Sequence, residues 1–394
     1  MENYDIYLLL LVAVGSGWVL GVWTSQSRRR KRHGKDIFED YFVGLNYLLN
    51  DEPDEAIDTF ISALELHSET GETHLALGAL LRRRGKVDKA IKVHQALLAR
   101  PGIESELANA TRLQLAIDFI SAGLLDRAER LLKDTLQTDS AVKWDALRHL
   151  SAIYQTEKEW EKAIDCCVRL LANSAFKSDE DIRAAAANYC CELAEQLLLQ
   201  DQVVSAKAQA RRAFTFDRKS VRASLQLAGI ESRLGNFKSA IKELIRIRKN
   251  NPEFTSSVLG QLQSCYEQIH ALQEFELLMV DFFSQKPDSH VLFIWSRLVL
   301  AREGPMAALQ LLQANVQKAP SLTTAIESLG LQLKAADNDV LASLKLLQSI
   351  IDGLQQRRSA YQCHHCGYES RNLYWLCPSC QKWDKIRPIS SVGL

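Results

Sequence analysis

Between about Phe38 and Arg357 apolar residues recur at spacings of three and four, the period of helices with one buried face, and hardly any stretch alternates as a strand would. A longer period lies over this one. Small or apolar residues suited to opening a second helix stand at Ala56, Ala90, Ala128, Ala163, Ala206, Ala240, Phe275, Ala308 and Ala342, most of them 33 to 35 residues apart. Twelve residues earlier come Gly44, Gly78, Ala116, Ser151, Ala194, Ala228, Ser296 and Gly330, all small, as close packing of two antiparallel helices requires. Pro252, Pro287 and Pro320 lie twelve residues after three of the anchors and Pro101 falls one residue early, where proline would stop the second helix. Turns such as RRGKVDKA, SAGLLDRA and LGNFKSA would join the paired helices, about nine pairs in all.

This period is that of the tetratricopeptide repeat, so the expected fold is all-α, a tetratricopeptide superhelix whose first helices line a concave surface for proteins or peptides. The spacing stretches to 43 residues between Ala163 and Ala206, where the polar insert NSAFKSDED reads as a loop and a subdomain boundary is expected near residue 176. By repeat position Arg82, Arg148, Glu195, Arg222 and Arg297 are the candidate groove residues, suited to an acidic or extended partner. The plainer alternative for each is a solvated surface charge.

The chain before the repeats changes the picture. Ile6 to Trp23 carries no charge, and at about 1.5 Å per residue it reaches roughly 27 Å, close to a bilayer core of about 30 Å. The acidic start and the following RRRKRHGK are the reverse of a secretory signal, which points to one uncleaved transmembrane helix with the N-terminus periplasmic and the rest cytoplasmic. Ala13, Gly17 and Gly21 share one face of that helix, where another membrane helix could pack, although glycine is also simply common in such helices. The expected domains are an anchor at 1–27, a basic juxtamembrane linker at 28–37, repeats at 38–357 and a metal domain at 358–394.

Equal numbers of acidic and basic residues, 48 of each, give no general signal for nucleic acid or anionic lipid. Of nine cysteines, Cys166-Cys167 and Cys190-Cys191 are adjacent pairs on helical patterns and Cys265 is alone, an arrangement that suits a reducing compartment better than a disulfide framework. The last four form Cys363-x-x-Cys366 and Cys377-x-x-Cys380, two knuckles able to hold one Zn or Fe ion in a closed tetrahedron. A closed site leaves no position for water, so architecture is favoured over hydrolysis; electron transfer stays open if the ion is Fe. Gln381 stands where the first knuckle has Gly367, so the second turn is expected to be less regular. Tyr368, Tyr374, Trp375 and Trp383 are expected to form a small apolar shell about the metal. Phosphate-binding loops and nucleophile motifs are absent from the sequence, and no enzyme site is expected.

With an anchor, repeats, then YQCHHCGY and LYWLCPSCQKW in that order, the chain resembles the lipopolysaccharide assembly protein B family of Gram-negative bacteria over essentially its whole length. DYFVGLNYLLND, RGKVDKAIKVHQ and SAGLLDRAE carry the likeness in the repeats. The resemblance implies a non-enzymatic inner-membrane adaptor with a cytoplasmic body and a rubredoxin-like or zinc-ribbon metal domain. Its partners would be the membrane AAA protease FtsH and the lipid A committing deacetylase LpxC, brought together so that lipopolysaccharide output is restrained. The family's metal ligands fall on Cys363, Cys366, Cys377 and Cys380. Two alternatives remain open, a scaffold for lipopolysaccharide synthesis, assembly or transport proteins and a rubredoxin-like electron carrier. A homodimer is also open. The knuckle domain is expected to cap and dock onto the repeat array and so shape a partner surface.

Overall fold

The computed structural model describes residues 71–138, 140–335 and 359–389, with three isolated positions before them. The expected anchor with Ala13, Gly17 and Gly21, the basic linker, the first repeat and the segment from 336 to 358 lie outside the described residues. Among those described, no helix is long and apolar enough to cross a membrane.

Among the described residues fifteen α-helices follow one another along the chain as successive pairs. They are α1 (Gly71–Arg83) with α2 (Val87–Leu98), α3 (Ser105–Ser121) with α4 (Leu125–Leu136), and α5 (Lys143–Thr156) with α6 (Trp160–Leu171). Next come α7 (Glu180–Leu199) with α8 (Val203–Phe216), α9 (Val221–Arg233) with α10 (Phe237–Asn250), and α11 (Thr255–Gln268) with α12 (Leu272–Gln285). The pair α13 (Ser289–Glu303) and α14 (Pro305–Asn315) precedes α15 (Leu322–Ala335). The second-helix anchors Ala90, Ala128, Ala163, Ala206, Ala240, Phe275 and Ala308 all have 0% exposure, so the long period read from the sequence is the line along which the pairs pack. Gly78 shows why the facing position is small: a Cβ there would lie 2.3 Å from Nε2 of the buried His94. Pro101, Pro252, Pro287 and Pro320 all fall outside the α-helices.

Six of the turns within pairs close in one way. At the first, Gly85 N donates to Arg82 O at 2.9 Å and Lys86 N reaches back to Leu81 O at 2.9 Å, the two bonds of a Schellman cap around a left-handed residue. The left-handed residue is Gly85, Gly123 or Gly235 in three turns, but Lys158, Asp201 or His270 in the others, with φ of 60°, 58° and 55°.

The chain divides into two compact units, Met1–Ile153 and Tyr154–Leu394. The division falls within α5 and not near residue 176. The insert there is a loop between α6 and α7, and the second unit's packing runs across it: Trp160 stacks on Tyr189 at 5.9 Å, and Tyr189 OH donates to Gln155 Oε1 at 2.8 Å. Part of the stretched repeat is helix, since α7 runs for 20 residues.

After the helices comes a ribbon of three short antiparallel strands, β1 (Tyr361–Cys363), β2 (Glu369–Ser370) and β3 (Ile386–Pro388), in the order β2-β1-β3. Tyr361 faces Ser370 on one side and Pro388 on the other, and Cys363 faces Ile386.

Candidate metal centre and the helical face it occupies

The two knuckles have the same backbone. In the first, Cys363 N donates to Tyr368 O at 2.8 Å and Gly367 N to Cys363 O at 2.9 Å; in the second, Cys377 N donates to Lys382 O at 3.0 Å and Gln381 N to Cys377 O at 2.9 Å. Gln381 takes the left-handed conformation that Gly367 takes, with φ of 55° and 77°, so the second turn is as regular as the first. Its side chain helps, since Nε2 donates to Pro378 O at 2.9 Å.

The four Sγ atoms lie within 4.8 Å of one another. Cys363 and Cys380 are 3.8 Å apart and Cys366 and Cys377 3.6 Å. A tetrahedron with metal–sulfur bonds of about 2.3 Å has edges of about 3.8 Å, so the residues fit one tetrahedral thiolate-bound ion. A backbone hydrogen bond from Tyr368 holds the Cys366 thiol down at about 6, whereas desolvation pushes Cys380 up to about 12. A bound cation would draw the proton from Cys380 as well, so that it too binds as a thiolate. Ile386 is buried against Cys363 and Cys377, with Tyr361, Tyr368 and Leu373 packed around them.

Two of the four aromatic residues expected around the metal face the repeats instead. Trp383 is 7% exposed; its Nε1 donates to Gln155 Oε1 at 2.9 Å, and its ring meets Tyr189 edge-on at 5.9 Å. Tyr189 OH donates to the same Gln155 oxygen at 2.8 Å. Trp375 stacks on Phe254 at 6.2 Å. Asp384 Oδ2 accepts from Asn188 Nδ2 at 2.7 Å. The Asp179 side chain caps α7 by accepting from Asp181 N and Ile182 N, and so presents Asp181 to Lys385 at 2.9 Å and Lys382 at 3.0 Å. Arg387 pairs with Glu253 at 3.1 Å. Gln155, Tyr189 and Arg222 belong to α5, α7 and α9, the first helices of successive pairs, and Phe254 precedes the next, α11. Within the second unit the ribbon is therefore docked across first helices and is not stacked on an end as a cap. Trp383 and its aromatic contacts dominate the seat: burying such a ring is worth about 2–3 kcal/mol, the exposed ion pairs less than about 1 each.

The candidate groove residues have varied fates. Arg222 is 5% exposed, pairs with Glu192 at 2.9 Å and Glu195 at 3.1 Å, and lies 5.8 Å from the Trp383 ring centre. It serves the seat of the ribbon and is not a free partner contact, because burying a guanidinium demands carboxylates at hand. Arg82 is likewise engaged within its own unit, bonding to Asp118 at 2.6 Å and Gln114 at 2.8 Å; Asp118, with no exposure, also meets His94 Nδ1 at 2.5 Å. Arg148 is exposed on α5, and Arg297 lies over Phe293 with Glu327 3.4 Å away. Gln155, Asp181, Asn188 and Tyr189 carried no motif; the available signal was the pair of tryptophans in a tail too small to bury them. The paired cysteines of the helices are buried, with burial pushing Cys166 and Cys190 up to about 12 and Cys191 higher still.

Residues 361–388 match the rubredoxin metal binding domain, and residues 44–102 match the tetratricopeptide repeat. The chain is 31% identical over 389 residues to lipopolysaccharide assembly protein B of Escherichia coli (strain K12), covering 98% of both. It is 32% identical over 400 residues to the protein of the same name from Haemophilus influenzae, again 98% of both. Among solved structures, a tetratricopeptide repeat protein from Parabacteroides merdae matches 71% of this chain and 98% of its own at 15% identity and a TM-score of 0.34.

Proposed function

The chain belongs to the lipopolysaccharide assembly protein B family, and we propose that it acts as a membrane-anchored adaptor in the control of lipopolysaccharide synthesis. It is a tetratricopeptide interaction protein, not an enzyme. In this reading the anchor at 1–27 and the basic linker at 28–37 hold the repeats and the ribbon at the cytoplasmic side of the bacterial inner membrane. The body brings the lipid A committing deacetylase LpxC to the membrane protease FtsH. The observation that carries the reading is the seat of the ribbon: a metal-held module fixed across several first helices makes one rigid face from two folds. Such a face suits holding a folded protein substrate.

The test is the lifetime of the deacetylase after protein synthesis is blocked, in cells with and without the chain. A longer lifetime in its absence, dependent on the membrane protease, is expected. The relatives' name favours a second reading, a scaffold that keeps synthesis or export components together. An unchanged lifetime, with loss of a synthesis complex, would select it.

A further inference from the structure

Beside the ribbon, on the side toward the C-terminal end of α7, lies an open cleft of about 870 Å³. Leu198, Leu199 and Leu225 line it from the repeats, and Leu373, Tyr374 and Leu376 from the ribbon. We infer that this cleft receives an extended segment of a partner protein carrying a bulky apolar side chain beside an acidic one. The inference rests on the adaptor reading for the occupant being a protein.

Three features of the cleft specify the occupant. Its apolar walls are left uncovered: Leu199, at the end of α7, is 86% exposed and Tyr374, between the knuckles of the ribbon, 41%. A bulky apolar side chain between them would remove both from water. Among the lining residues Lys158 and Arg233 have no carboxylate partner among the described residues, whereas Glu192 and Glu195 share the single charge of Arg222, which leaves one positive charge in excess. The charge left uncompensated is positive, which favours an acidic neighbour on the incoming chain. The third feature is an orphaned acceptor. Gln226 Nε2 donates to Cys191 O at 2.9 Å, but its Oε1 is buried without a hydrogen-bond partner among the described residues. A buried acceptor left unpaired is costly, and because this oxygen is closed off from solvent, a backbone N–H of an extended segment supplies the missing donor only as the Gln226 side chain turns toward the cleft. An extended polypeptide carries a donor, an apolar group and a carboxylate within a few residues.

The experiment measures fluorescence anisotropy of a labelled peptide, acetyl-Gly-Ser-Glu-Leu-Trp-Glu-Ser-Gly-amide, against the metal-loaded full chain in detergent micelles. Counterparts have Lys for both Glu residues, or Ala for Leu and Trp. The acidic peptide should bind saturably and both counterparts at least about tenfold more weakly. Leu199→Glu and Tyr374→Ala should each weaken the acidic peptide by a similar factor, and Leu199 is exposed enough that folding is spared. Lys158→Glu combined with Arg233→Glu should reverse the order, the Lys peptide then binding more tightly. Equal binding of all three peptides, no saturable binding of the acidic one, or indifference to Leu199→Glu overturns the inference. Should the peptide fail while deacetylase lifetime still depends on the chain, the cleft falls and the adaptor reading stands.

Discussion

Asp384 follows the second knuckle with its carboxyl buried against the repeats. Burial pushes its pKa up to about 6 from an ordinary 3.8; Asp217 adds to the rise, while the Asn188 hydrogen bond and the charges of Arg387 and Arg222 offset part of it. The folded protein thus holds this proton more tightly than the unfolded chain. Its contribution to stability is full below about pH 4 and is lost as pH rises through about 6. Asp181 works the other way. Hydrogen bonds from Lys385 and Lys382 hold it below the usual carboxylate range, so its contribution is present at neutral pH and lost on acidification. Comparing the parent with Asp384→Asn cancels Asp181 and isolates Asp384. Thermal melts should show little difference near pH 4, and an advantage for the variant that grows to a plateau above about pH 7. An advantage constant with pH, or none at pH 7, would mean that no charge is buried there.

At the scale of elements, the sequence spoke clearly where one position had one steric duty. Each described anchor from Ala90 to Ala308 could be read because a second helix packs only onto a position with no exposure. The turns were harder. A Schellman cap needs a left-handed residue, and composition marks it only when that residue is glycine, so Lys158, Asp201 and His270 gave no sign. These residues adopt a conformation costing about 1–2 kcal/mol for a side chain, offset in part by the greater unfolded-state entropy of glycine. His270→Gly should therefore stabilise the protein by about 0.5–1 kcal/mol, and Gly235→Ala should destabilise it by about 1 kcal/mol, read from urea unfolding midpoints. A fall in midpoint for His270→Gly would show that the imidazole makes a compensating contact. The boundary expected near residue 176 failed for a related reason: a polar insert announces a loop, but not whether the core continues past it.

For the whole molecule, the metal ligands were legible and their place was not. Four cysteines in two matched turns declare a tetrahedral site locally, whereas the seat joins Gln155 to Trp383 and Asn188 to Asp384, pairs 228 and 196 residues apart with no shared period. So small a ribbon, with strands of two or three residues, depends on its ion for folding. Cys363→Ser with Cys366→Ser should leave helical circular dichroism nearly unchanged, abolish stoichiometric metal, and shift tryptophan emission to the red as Trp375 and Trp383 leave Phe254 and Tyr189. Unshifted emission would mean the ribbon stays seated without metal. In the proposed function this seat is what makes the array an adaptor. Its most direct test is deacetylase lifetime, after protein synthesis is blocked, in cells whose only copy carries Trp383→Ala with Lys385→Glu, checked for normal abundance and membrane insertion. A lifetime as long as in cells lacking the chain is expected; one as short as with the parent protein would contradict a role for the seat.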